Sequence, residues 1–232
     1  VSIRGLAIET SGRLGSVALV EDGNVLDDLS FEHGLQHAAM MLPMIDRLCA
    51  ARRWKPADLH ELYVSAGPGS FTGLRIGITL VKTLAMATGA KVAAVPSVRV
   101  LAENAPEDAR NLIIVLDAKR DQIFTARFER ENAGWAIRED ARLDSLTDTL
   151  GRSPRPVHLL GEGIPYHEKF IPRVDAGVIV VAKESWRARA SSVARLGWKM
   201  ARDEAFSDPW KLTPIYIRRP EAEEKWEKRI SS

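Results

Sequence analysis

The residues best suited to chemistry stand at 65–77, SAGPGSFTGLRIG, where glycines 67, 69, 73 and 77 and the hydroxyls of Ser70 and Thr72 lie between two apolar stretches. A phosphate loop of the Walker type needs a Lys-Ser/Thr pair at its end, so that an ammonium reaches the outer phosphates. Here the residue five after Gly67 is Thr72, and the nearby cation is Arg75. A dinucleotide fingerprint needs glycines at the first, third and sixth places; these stand at 67, 69 and 73, with Pro68 stiffening the turn. A nucleophile elbow needs Gly-x-Ser-x-Gly, and Ser70 has Pro68 and Thr72 at the flanking places. What remains is a strand end, a turn with free amides and a helix N-terminus near Thr72, which suits an anion. The competing reading is that the glycines only permit a sharp corner and close helix packing.

Two acids end apolar runs, Glu9 in Ile8-Glu9-Thr10 and Asp117 in Leu116-Asp117-Ala118. Facing one another across a cleft they could hold a hydrated Mg²⁺; separately, each would accept bonds from turn amides. Gly161-Glu162-Gly163 repeats the spacing of Gly67-Pro68-Gly69. The candidate nucleotide or anion set is therefore Glu9, Gly67, Gly69, Ser70, Thr72, Gly73, Asp117, Gly161 and Gly163. His33 and His37 are four apart, but Gly34 intervenes and no third ligand is near, so they read as capping or partner-facing. No catalytic or metal-binding residue is assigned.

The elements that must position these residues repeat. Short β-branched and aliphatic runs at 4–9, 16–20 and 24–30 are separated by Ser11-Gly12 and Glu21-Asp22-Gly23, and read as three antiparallel strands. A helix over 36–51 containing Pro43, a strand at 62–66, a helix from about Thr72, a strand at 91–95 and a short helix capped by Ser97 follow. The second half gives strands at 112–117, 122–129 and 135–138, a helix at 143–150, a strand at 157–160, a helix near Tyr166, a strand at 177–181 and a helix at 193–201. Each half thus runs βββαβαβα, an α/β duplication with two lobes and a cleft between them. The expected units are 1–104, 105–206 and a tail, 207–232, packing back on the first lobe. That tail, PIYIRRPEAEEKWEKR, reads as an extended piece and a charged helix.

Both long helices of the first half carry a second apolar face. Met40, Met44 and Arg47 stand on one, Ile76, Leu80 and Thr83 on the other, and a helix apolar on two faces is buried on two faces. These six are the expected partner interface.

Composition excludes other classes. Lys plus Arg number 33 against 31 Asp plus Glu, a net +2 with both signs interspersed, so the charge does not mark a nucleic-acid binder. The single Cys49 forms no internal disulfide, and no apolar run approaches the roughly 20 residues that span a bilayer. The start, VSIRGLAIETSG, lacks the order of a signal peptide, and a cytoplasmic location with no membrane contact is expected.

LAIETS, HAAMMLPMID, GPGSFTGLRIG, IIVLDAKRDQIFTARF and PIYIRR together resemble the TsaB family, bacterial proteins involved in making threonylcarbamoyladenosine in tRNA and once labelled glycoprotease-like. The resemblance implies the actin-like, Hsp70-like fold, whose cleft usually binds ATP. It also implies a non-catalytic subunit that requires no cofactor, with weak binding of ATP or ADP with Mg at most. The implied partners are the paralogue TsaD, which transfers the threonylcarbamoyl group, and the ATPase TsaE. Alone, the chain would form a homodimer through the two helices, and it would meet tRNA through the complex. The paralogue's His-x-x-x-His metal motif falls where this chain has PSVRVLAE, without a histidine. Glu9 departs from the family, in which Asp is commoner. The rival readings are an ATP-dependent transferase or kinase using Glu9, Asp117 and the glycine loops, and a metallopeptidase, which lacks a zinc triad here.

Overall fold

Asp22 and Gly23 both take positive φ, 48° and 82°, the type I′ geometry whose twist matches that of paired strands. They join β2 (Leu14–Glu21) to β3 (Asn24–Glu32), with Glu21 opposite Asn24. β1 (Arg4–Glu9) pairs antiparallel with β2 and parallel with β4 (Glu61–Gly67), and β4 pairs parallel with β5 (Lys91–Pro96). The helices of this half are α1 (His37–Ala51), α2 (Phe71–Thr88) and α3 (Ser97–Ala102). The structure, a computed structural model, describes residues 2–32, 37–132 and 134–218. His33 and the charged helix expected after the tail's extended piece lie outside the described residues, as does the side chain of His37.

The second half repeats the order with β6 (Asn111–Asp117), β7 (Ile123–Glu131), β8 (Gly134–Asp144), α4 (Leu146–Gly151), β9 (Val157–Leu160), α5 (Ile164–His167), β10 (Val178–Val180) and α6 (Ala190–Arg202). The strands lie β3-β2-β1-β4-β5 in one sheet and β8-β7-β6-β9-β10 in the other, so the two mixed sheets share one topology. This is the duplicated actin-like arrangement that the sequence predicts. The helices are not duplicated in length: α1 and α2 have 15 and 18 residues, their counterparts α4 and α5 only 6 and 4.

Side-chain alternation along the strands builds three apolar layers. From β1, Leu6 and Ile8 face α1 and α2, whereas Ala7 faces a central core with Ala18, Val95 and Phe128. Ile113 and Val115 of β6 face α4 and α5. The central core is filled by α3 and α6 and joins the two sheets. Sequence reading places α6 in the unit 105–206, but it packs on β1, β2, β4 and β5 of the first sheet. The reason is Gly197. A Cβ there would stand 2.5 Å from the Tyr63 ring, so the helix lies directly on β4. The Tyr63 hydroxyl donates to Glu61, and Arg202 at the end of α6 pairs with the same buried carboxylate.

Three element boundaries differ from expectation. β8 runs on to Asp144, because Glu139 and Asp144 are held by Arg152 and Arg127 and a polar edge strand needs no apolar alternation. The following helix therefore starts at 146, capped by Ser145, whose Oγ accepts from the Asp148 amide. Ser97 does not cap α3: it is the first helical residue, and its hydroxyl accepts from the Gly67 amide at 3.0 Å. The described tail lies along the first half, with the Ser207 amide donating to Val92 and the Ile215 amide to Ala66. Arg218 then reaches the second half at the carbonyl of Ala118.

Candidate functional site

The turn after β1 and the glycine corner after β4 face the turn after β6 and the Gly-x-Gly turn after β9. Between them lies a cavity of ≈ 420 Å³, lined by residues 11–13, Gly69 and Ser70 from one half and by Asp117, Lys119, Glu162, Gly163 and Tyr166 from the other.

The glycine corner is built for contact with β1. Ser70 caps α2 through its Oγ, which accepts from the Gly73 amide at 3.2 Å, and its own amide donates to the Ser11 carbonyl at 2.7 Å. A Cβ would stand 2.3 Å from the Ser11 carbonyl oxygen at Gly69 and 2.0 Å from that of Thr10 at Gly73, so both positions admit only glycine. Gly67 takes φ 111°, the left-handed range that glycine enters freely. Thr72 is exposed on the first turn of α2. In the second half Gly161, with φ 140°, would place a Cβ 2.3 Å from the Val115 carbonyl oxygen, and Gly163 one 2.5 Å from the Asp117 amide. Both glycine turns thus press a strand-to-helix corner against the end of the sheet's first strand.

The two strand-end acids are placed differently. Asp117 lines the cavity; its Oδ1 accepts from the Lys119 amide at 3.0 Å and lies 3.2 Å from Nε2 of the buried His167. Glu9 is not among the lining residues. Its carboxylate is fully buried, with Oε1 accepting from the amide and hydroxyl of Ser11 at 2.5 and 2.6 Å, and Oε2 bonded to nothing among the described residues. Burial pushes this carboxyl above its ordinary pKa, and the Ser11 bonds only partly offset it. A group that holds its proton more tightly when folded contributes stability below its unfolded pKa and loses it as pH rises through the folded value. Glu9→Gln should therefore gain on the parent steadily from pH 4.5 upward, as read from urea denaturation midpoints across pH; parallel profiles would show that Glu9 does not titrate with folding.

Glu162 reaches across the cavity. Its Oε2 accepts from the Arg13 backbone amide at 2.8 Å and stands 3.0 Å from where a Gly12 Cβ would be. The Arg13 guanidinium lies over the Tyr166 ring, 5.2 Å from its centre. Sequence reading missed Arg13, Lys119, Glu162, Tyr166 and His167. Glu162 carried a signal as the middle residue of the second Gly-x-Gly; the others had no informative spacing. No group of three or more His, Cys, Asp or Glu side chains that could share a metal occurs among the described residues, and no helix there is long and apolar enough to cross a membrane.

Of the six residues on the second helix faces, Met40 is 45% exposed, and Arg47 and Thr83 are exposed. Met44, Ile76 and Leu80 are partly buried against the core beneath α1 and α2. Leu42 and Met86 add exposed apolar surface on the same two helices.

The family model described as "TsaD: tRNA N6-adenosine threonylcarbamoyltransferase" matches residues 33–226. The tRNA threonylcarbamoyladenosine biosynthesis protein TsaB of Bacillus subtilis is 31% identical over 226 residues, 95% of this chain and 96% of its own. The chain belongs to the TsaB family. The Escherichia coli TsaB is also 31% identical, over 57% of this chain and 58% of its own. The solved structure of YeaZ from Pseudomonas aeruginosa superimposes with a TM-score of 0.77 at 25% identity, covering 92% of this chain and 99% of that one. TsaB relatives thus share the architecture over nearly the whole chain, cleft included.

Proposed function

We propose that this chain is a non-catalytic subunit of the assembly that makes threonylcarbamoyladenosine in tRNA. It pairs with TsaD through α1 and α2, works with the ATPase TsaE in the cytoplasm, forms a homodimer when alone and meets tRNA through the complex. One observation carries the non-catalytic reading: the acid at the end of β1, Glu9, is sealed under its own turn instead of facing the cavity. A reacting group would need contact with its substrate. Ser97, which opens the stretch where the paralogue's histidines would stand, is spent on the Gly67 amide. In this reading any ATP or ADP with Mg binds weakly, and no cofactor is required.

Reconstitution tests it. With TsaD, TsaE, tRNA, ATP and a threonylcarbamoyl donor, modification should depend on this chain, and Asp117→Ala should support it as the parent does. Turnover of MgATP by the isolated chain, abolished by Asp117→Ala, would overturn the reading in favour of an actin-like transferase or kinase.

A further inference from the structure

The cavity holds donors and cations that the chain satisfies with a carboxylate of its own. The Arg13 amide points into the cavity and is met by Glu162 from the opposite half, 149 residues away, at 2.8 Å. Hydrogen bonds from a backbone amide to a carboxylate are charge-assisted and stronger than those to neutral acceptors. Two cations stand beside it: the Arg13 guanidinium, resting on Tyr166, and Lys119, whose ammonium forms no ion pair among the described residues. Glycines on both sides, Gly12 and Gly163, bring backbone to the cavity wall. A turn amide flanked by two cations binds an anion, and here the anion is supplied in cis.

We propose that the turn at Gly12 and Arg13 is an anion site occupied by Glu162, and that an external phosphate group takes the same amide once Glu162 is withdrawn. The ligand class is a phosphate rather than a monocarboxylate, because with Glu162 absent Arg13 and Lys119 leave charge for a dianion, opposed only by Asp117, which is already engaged by the Lys119 amide and His167. A cavity of ≈ 420 Å³ lies in the size range of small-ligand sites. The Glu162 contact joins the two halves directly, so phosphate binding and separation of the halves are coupled: the ligand must displace Glu162. The inference concerns control of the cleft and holds whether or not the chain is a non-catalytic subunit.

The test uses the full chain, with Glu162→Ala and Glu162→Gln, observed at the Arg13 amide by NMR. Inorganic pyrophosphate and ADP are titrated separately. The Arg13 amide of Glu162→Ala should exchange with solvent faster than that of the parent. It should also shift saturably with at least one of the two ligands, at an affinity at least about tenfold above the parent, the factor one charge-assisted hydrogen bond is worth. Binding of pyrophosphate identifies a phosphate read alone; binding of ADP without pyrophosphate identifies a nucleotide. Glu162→Gln, which keeps an acceptor but loses the charge, should fall between parent and Glu162→Ala, and it carries the test if the alanine variant does not fold. An Arg13 amide with unchanged exchange, or affinities equal to those of the parent for both ligands, would overturn the proposal.

Discussion

Gly73→Val is expected to destabilise the protein by at least about 3 kcal/mol, the upper end for overpacking, because the group it meets is backbone. A Cβ at this position would stand 2.0 Å from the Thr10 carbonyl oxygen. A flexible side chain could swing aside, but Thr10 is fixed by β1 on one side and by the Glu9 and Ser11 bonds on the other. The helix would have to lift from the sheet, breaking the bond from the Ser70 amide to Ser11. Gly151→Ala is the matched control: it ends α4, meets no atom within 4 Å and should change stability by no more than about 0.5 kcal/mol. Both are read from urea denaturation at one pH. A Gly73→Val midpoint equal to that of the control would mean that the corner is not pressed against β1, and the packing role assigned to its glycines would fail. The same substitution separates the two readings of SAGPGSFTGLRIG, since an anion cradle would tolerate the loss of stability only in the presence of its ligand.

Local signals made the duplication legible. Asp22-Gly23 writes its own hairpin turn, and the acid that ends β1 and β6 and the Gly-x-Gly after β4 and β9 recur at matching places, because each half must make the same strand-to-helix corner. What stayed hidden depends on partners distant in sequence. The amphipathic pattern of α6 says that one face is buried, not which sheet buries it; that is decided by the fit of Gly197 onto Tyr63, 134 residues earlier as 197 minus 63. Glu9 and Asp117 look equivalent in sequence, yet one is sealed and the other open. The difference lies in Ser11, whose amide and hydroxyl hold the Glu9 carboxylate inward, while Asp117 turns outward to His167 and the Lys119 amide. Ser97 has the residue type of a helix cap, but the strand-end amide of Gly67 claims its hydroxyl. The bridge from Glu162 to Arg13 joins two turns that no periodicity relates.

Met40→Glu is expected to weaken association with TsaD at least about thirtyfold while leaving the chain folded, the size of effect that a charge placed among interface anchors produces. The proposal of an α1–α2 interface rests on an asymmetry: these two helices are long and keep Met40, Leu42 and Met86 exposed, whereas α4 and α5, in the equivalent places, span 6 and 4 residues. A duplicated fold needs no such extension for its own core, so the extra surface has another use. The choice of residue decides whether the test is informative. Leu80 and Met44 belong to the same expected interface, but both pack partly against the core that holds Leu48 and Ile78, so a glutamate there would lower stability and binding together. Met40 is 45% exposed, and a charge at that position stays in water when the chain is free. Arg47→Glu and Thr83→Glu, at exposed positions of α1 and α2, should act in the same direction. Val174→Glu, at a residue 96% exposed outside these helices, should bind as the parent does. Sedimentation of each variant with and without TsaD, beside its thermal midpoint, separates lost binding from lost folding. Undiminished association of a folded Met40→Glu would place the contact elsewhere and leave the length of α1 and α2 without a use in the complex.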